Sequence, residues 1–174
     1  DLILRRIFLL VTDASNDLIQ GAAKDNKYLV ESLEEKHNSI TKFMANALRI
    51  LNKFGHPNHK HTSLYYHVIE SLDSINDILK DSARLIAESN IKISKSCEKI
   101  LAGINESLSD YQKLFYKFDF KLVEKISSDR YKILEYVRTS SKKLSKDEIR
   151  LVVTMNGIAN VVYTLKISRI ALEY

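Results

Sequence analysis

Apolar residues recur at intervals of three and four along almost the whole chain, the signature of helices that bury one face. Leu4, Ile7, Val11, Ala14 and Leu18 form one seam. Val30, Leu33, His37, Ile40, Met44, Ala47 and Leu51 form a second, and Gly55-His56-Pro57 closes it as glycine and proline close helices. Val68, Leu72, Ile75, Leu79 and Ile86 carry a third. The pattern then begins again. Cys97, Ile100, Ile104, Ser107 and Tyr111 make a fourth seam, and Val123, Ile126, Arg130, Ile133, Val137, Ser140 and Leu144 a fifth. Leu151, Met155, Ile158, Val162 and Leu165 make a sixth, behind a capping pattern at Ser145-Lys-Asp-Glu148.

The two sets of three seams overlay. Leu4, Ile7 and Val11 fall on Cys97, Ile100 and Ile104, Leu29-Val30-Glu31 on Leu122-Val123-Glu124, and Ile40 on Ile133. Once the longer loop at 55–62 is allowed for, Val68, Leu72, Ile75 and Leu79 fall on Leu151, Met155, Ile158 and Val162. Whole seams agreeing in register point to a duplicated unit. The expected fold is all-α, two tandem three-helix bundles, with a first repeat at 1–88 and a second at 89–174. The junction near Ser89-Asn90 reads as a nearly continuous helix.

Composition sharpens this picture. The 174 residues include 4 glycines and 1 proline, too little turn punctuation for anything but long helices with few loops. A single cysteine, Cys97, excludes an internal disulfide and a thiolate metal framework and fits a reducing, intracellular setting. Cys97 stands where the first repeat has leucine, so it reads as a small buried hydrophobe. The net charge of +5 is modest, and the lysines are spread around the helices, so the chain alone is expected to bind duplex DNA weakly and without sequence preference. No apolar run reads as long enough to span a bilayer. Ile7 to Val11 is apolar on all sides, which calls for a neighbour beyond its own bundle: a second protomer, giving a homodimer through helix one, or a domain before Asp1.

One stretch asks for a separate account. In SLYYHVIESLDSINDILKDSARLI, Asp73, Asp77 and Asp81 stand one helical turn apart, where like charges repel. With His67 and Glu70 they spread over roughly 120° of the helix, opposite the apolar seam. They read either as a solvated outer face softened by Lys80 and Arg84, or as a face that holds a metal ion. Carboxylates at this spacing suit a hard or borderline cation, which cancels their repulsion and takes oxygen ligands. The metal candidates are Asp73 and Asp77, with Glu70 or Glu34 nearby.

Two tandem three-helix repeats with D-x-x-x-D on the third helix resemble the PhoU family of phosphate uptake regulators. The opening ILRRIFLL, the second-helix phrase LVESLEEKHNSITKF and the third-helix phrase VIESLDSINDILKDSARLI carry the resemblance, which covers nearly the whole chain. It implies a non-enzymatic cytoplasmic adaptor that relays phosphate status to a phosphate transporter component, a sensor kinase or a transcriptional partner. It also implies a divalent or trivalent metal on the acidic motif, onto which Asp73 and Asp77 map directly. The archaeal type of this family often carries an AbrB-type DNA-binding domain in front, for which a chain starting at Asp1 leaves room. The departures lie in the second repeat, where Asn156, Asn160 and Val153 replace Asp73, Asp77 and Glu70, so no second equivalent metal site is expected. His37 and Arg130 stand on the second helix of each repeat where the family tends to carry an acid.

The remaining polar residues read more plainly. His37 is expected to be a satisfied seam histidine, and Arg130 to reach outward or to pair with Glu98 or Glu106. His56, His59 and His61 lie in the one long loop, and Tyr111, Phe115, Tyr116, Phe118 and Phe120 divide between core and interface. No nucleophile with a base, phosphate-cradling glycine loop or zinc signature is present. A carboxylate-bridged di-metal bundle enzyme is the alternative from another class, but it needs four acids and two histidines pointing into the core, and here the acids point out. A plain helical accessory scaffold of a phosphate transporter is the third reading.

Overall fold

The computed structural model describes residues 2–173. It contains six α-helices and, among the described residues, no strand: α1 Leu2–Ala23, α2 Lys27–Phe54, α3 Thr62–Ser89, α4 Lys95–Tyr116, α5 Phe120–Ser140 and α6 Lys146–Glu173. The all-α reading holds, and the order is two successive three-helix units, α1–α3 and α4–α6. Nearly every seam residue points inward, with His37, Arg130, Val123 and Val137 only half-buried.

The two units share one core. α3 packs on α6 as well as on α2 and α1, α1 packs on α4, and the buried apolar residues form one connected cluster. α2 and α5 flank this central four-helix layer. The central helices therefore bury a second stripe beside the seam: Phe8 on α1, Ile69 and Ala83 on α3, Leu101 and Leu108 on α4, Val152 and Ala159 on α6. Gly157 lets α6 approach α3, since a Cβ there would lie 3.0 Å from Ile78 Cδ1.

The apolar stretch Ile7 to Val11 finds a neighbour within the chain. Phe8 is fully buried against the second unit, with ring centroids 6.0 Å from Tyr111, 5.2 Å from Phe115 and 5.7 Å from Tyr116. Asn105 Nδ2 donates to Asn16 Oδ1 at 2.7 Å, and Thr12 Oγ1 to Gln112 Oε1 at 3.3 Å, along the same α1–α4 seam. α4 thus covers Phe8 within this stretch, while Leu9 stays exposed at 52%. Much of the aromatic group goes into this contact, while Phe118 and Phe120 pair with each other at 5.0 Å and Phe120 stays exposed.

The junction between the units is a helix break, not a continuous helix. Asn90 takes the left-handed conformation at φ 49°, which asparagine tolerates better than most residues, and ends α3. Ile91 folds back into the core, and Ser94 caps α4 by accepting from the Cys97 N–H. The capping box at the start of α6 forms as its sequence predicts: Ser145 Oγ accepts from the Glu148 N–H at 3.2 Å, and Glu148 Oε2 accepts from the Ser145 N–H at 2.7 Å. The second Glu148 oxygen accepts from the Ser94 N–H at 2.6 Å, so one carboxylate ties the start of α6 to the start of α4.

α6 differs from the sequence reading in one further respect. By length and composition it is apolar enough to cross a membrane. Its polar residues Asn156, Thr154, Asn160 and Thr164 are uncharged and scattered, so no single apolar run revealed this. In the fold it is a core helix, with Leu151, Val152, Met155, Ile158, Ala159, Val162 and Leu165 buried.

Candidate functional site: the α2–α3 face and its counterpart on α5–α6

The acids of α3 face outward as expected, with Asp73 half-buried and Asp77 within reach of α2. Asn76, buried, anchors the two helices by donating to the His37 carbonyl and to Thr41 Oγ1, both at 3.3 Å. At the next residue, Asp77 Oδ1 accepts from Lys80 Nζ at 2.6 Å and lies 3.0 Å from His37 Nε2. Lys80 Nζ is also 3.3 Å from His37 Nε2. His37 is thus paired at Nε2, while its buried Nδ1 has no hydrogen-bond partner among the described residues. Farther along, Arg84 holds Glu34 with a two-pronged contact, Nη2 to Oε1 at 2.6 Å and Nε to Oε2 at 3.1 Å.

The electrostatics follow from these contacts. The Lys80 hydrogen bond, with help from His37, holds the Asp77 carboxyl below its ordinary range. Arg84 does the same for Glu34. Asp73 goes the other way: partial burial and then the charge of Asp77 push it up, and Glu70 adds to this. Of the four metal candidates, Asp77 and Glu34 therefore already have cationic partners, Asp73 is a like-charged neighbour of Asp77, and Glu70 is exposed with no ion pair among the described residues. Among the described residues no three histidine, cysteine, aspartate or glutamate side chains are grouped closely enough to hold a metal ion. Lys80 supplies Asp77 with a positive charge from within α3.

Other candidates resolve into structure. His56 Nδ1 accepts from the Asn58 N–H at 3.1 Å, and its ring stacks 4.4 Å from Tyr65, so it shapes the loop that carries His59 and His61. Cys97 is buried, and burial followed by the charge of Glu148 pushes its thiol up to about 12, which makes it inert at neutral pH. The two buried acids are both committed. Asp110 is held by Lys113 and Lys125, and Glu148 by the two backbone amides described above.

The equivalent face of the second unit has a different chemistry. Arg130, at the register of His37, pairs with neither Glu98 nor Glu106; its Nε donates to Asn160 Oδ1 at 3.1 Å, and Glu106 is taken by Lys125. Lys166, at the register of Ala83, is 7% exposed and donates to Ser127 Oγ. Both cations sit against Tyr163, Arg130 Cζ at 4.7 Å and Lys166 Nζ at 3.8 Å from the ring centroid. The sequence reading overlooked Lys166. Its signal was there, since the repeat register sets a lysine against a position that is alanine in the first unit.

Comparison with known proteins bears on the fold. No protein-family model matches the chain, and no curated protein matches it. Solved structures do. A PhoU-like phosphate regulatory protein from Shewanella oneidensis MR-1 superposes with a TM-score of 0.62 over 98% of this chain and 96% of its own length, at 10% identity. A second structure, of a PhoU-like protein from the same organism, matches with the same TM-score and identity over 98% of this chain and 94% of its own. The fold is PhoU-like from end to end.

Proposed function

We propose that this chain is a regulator of phosphate uptake or phosphate signalling that works as a non-enzymatic helical adaptor in the cytoplasm. The observation that carries the reading is the end-to-end superposition on a PhoU-like phosphate regulatory protein, with no large segment of either chain left over. Both buried carboxylates serve helix ends and lysines. The partner is a phosphate transporter component, a sensor kinase or a transcriptional partner, engaged through the charged outer helices. Removing the chain from its host is expected to uncouple phosphate uptake from phosphate supply.

A metal ion on α3 belongs to this proposal only as a competitor of Lys80. A divalent or trivalent cation at Asp73 and Asp77, with Glu70 or Glu34 nearby, requires Lys80 and Arg84 to leave their acids. Binding is therefore weak in the parent chain and stronger in Lys80→Ala, which frees Asp77. Elemental analysis after millimolar supply and desalting is expected to show more metal in Lys80→Ala than in the parent, none in Asp73→Asn/Asp77→Asn, and no change in Asn156→Ala/Asn160→Ala. Equal, negligible metal in all four proteins would make the row a partner-docking or solvated face.

A further inference from the structure

From the arrangement on α5 and α6 we infer that Arg130 and Lys166 form a binding site for a small tetrahedral oxyanion. The inference starts from a charge imbalance. Elsewhere on the corresponding faces, cations meet acids: Lys80 meets Asp77, Arg84 meets Glu34, and Lys125 meets Glu106, Asp110 and Asp129. Among the described residues, neither Arg130 nor Lys166 has a carboxylate within ion-pair reach. Lys166 is nevertheless in the buried set, and a buried charge without a counter-charge is costly. Burial, and then the positive charge of Arg130, hold the Lys166 ammonium below its ordinary range.

The unspent donors make the site chemically specific. Arg130 uses Nε on Asn160 and leaves both terminal nitrogens without a partner among the described residues. Lys166 uses one donor on Ser127. Both heads lie against the Tyr163 ring, Arg130 Cζ at 4.7 Å and Lys166 Nζ at 3.8 Å from its centroid. A planar guanidinium fork beside an ammonium, with no carboxylate to compete, suits an anion with several acceptor oxygens. At the same register the first unit offers Glu34, Asp73 and Asp77, which repel anions. The repeat has thus diverged into one face whose cations meet acids and one whose two cations meet none among the described residues. The choice of inorganic phosphate as the first probe rests on the regulatory reading, but the site itself rests only on the two cations.

The test is a two-dimensional NMR titration of the full chain with inorganic phosphate and, separately, with sulfate, at constant ionic strength. Saturable shifts in the Arg130 and Lys166 side chains and in the neighbouring amides of α5 and α6 are expected, with a dissociation constant in the millimolar range or below, about 4 kcal/mol or more. Arg130→Gln/Lys166→Met is expected to weaken binding at least about tenfold with its helical circular dichroism unchanged. Arg130→Gln alone, at a half-exposed position, serves if the double variant does not fold. Saturation by sulfate but not phosphate would keep the site and remove phosphate as its ligand. No saturable shift with either anion, or the same shifts in the variant, would overturn the site while leaving the regulatory reading to its own test in cells.

Discussion

Phe8→Ala is expected to lower the stability of the whole chain by about 4 kcal/mol, in a single unfolding transition. The side chain is fully buried and touches three aromatic rings of α4, so its removal opens a cavity at the seam between the two units. Aromatic neighbours held by helix backbones collapse poorly into such a space, which places the cost in the upper part of the usual range. Phe115 is fixed further by Tyr65 at 5.8 Å, and Arg169 Nε donates to the Leu114 and Phe115 carbonyls at 3.2 and 3.0 Å. Urea denaturation followed by circular dichroism reads the loss. Because the core is one cluster, both units should unfold together. Two separate transitions, or a loss below about 1 kcal/mol, would show that the α1–α4 seam is not what joins them.

Glu148→Ala is expected to cost about 3 kcal/mol, a large effect for a residue that belongs to neither seam nor acidic row. The side chain is 4% exposed, and its two oxygens accept from the N–H groups at the entrances of α4 and α6. Alanine would leave both donors without that partner and remove the negative charge from two helix N-termini. Glu148→Gln keeps the shape but loses the charge, so an intermediate loss is expected. The same residue gives a pH signature. Burial works to raise the Glu148 carboxyl, but the hydrogen bonds from Ser94 and Ser145 outweigh it, and the folded-state value lies below the ordinary 4.5. A depressed folded value means that this stabilisation is present above the unfolded value and is lost as pH falls through the folded one. Asp110 is lowered in the same sense, its lysine partners outweighing burial. Stability of the parent should therefore fall as pH drops below about 4, and the gap between parent and Glu148→Gln should narrow over that interval. A gap that is constant from pH 7 to pH 3 would contradict the capping role.

Helices, seams and the repeat were legible because periodicity reports burial, and burial on one face is all that an amphipathic helix needs to display. What periodicity does not display is a second buried stripe. Phe8, Leu101, Leu108 and Val152 interrupt a single-seam reading, and only the pairing of α1 with α4 and α3 with α6 explains why they are apolar. That is why the apolar run at Ile7 to Val11 pointed outside the chain, although α4 covers its Phe8. The break at Asn90 was hidden for a related reason: asparagine can continue a helix or cap it, and the choice falls to Ile91, which is drawn into the core. At the candidate site, the spacing of Asp73, Asp77 and Asp81 showed that charges lie close together. It also placed Lys80 within i,i+3 reach of Asp77 on the same helix, but it did not show that Arg84 reaches Glu34 on α2, because side-chain direction across a helix pair depends on how the pair crosses. The box at Ser145 was legible locally, whereas the reach of Glu148 to Ser94, 54 residues away, was not.

The regulatory reading stands or falls in the cell. The decisive measurement is the initial rate of labelled phosphate uptake, in host cells with and without this chain, after growth in scarce and in abundant phosphate. If the chain relays phosphate status, cells lacking it will fail to adjust their uptake rate to supply, and re-expression of the full chain will restore the adjustment. Uptake that responds to supply equally well with and without the chain would contradict the account.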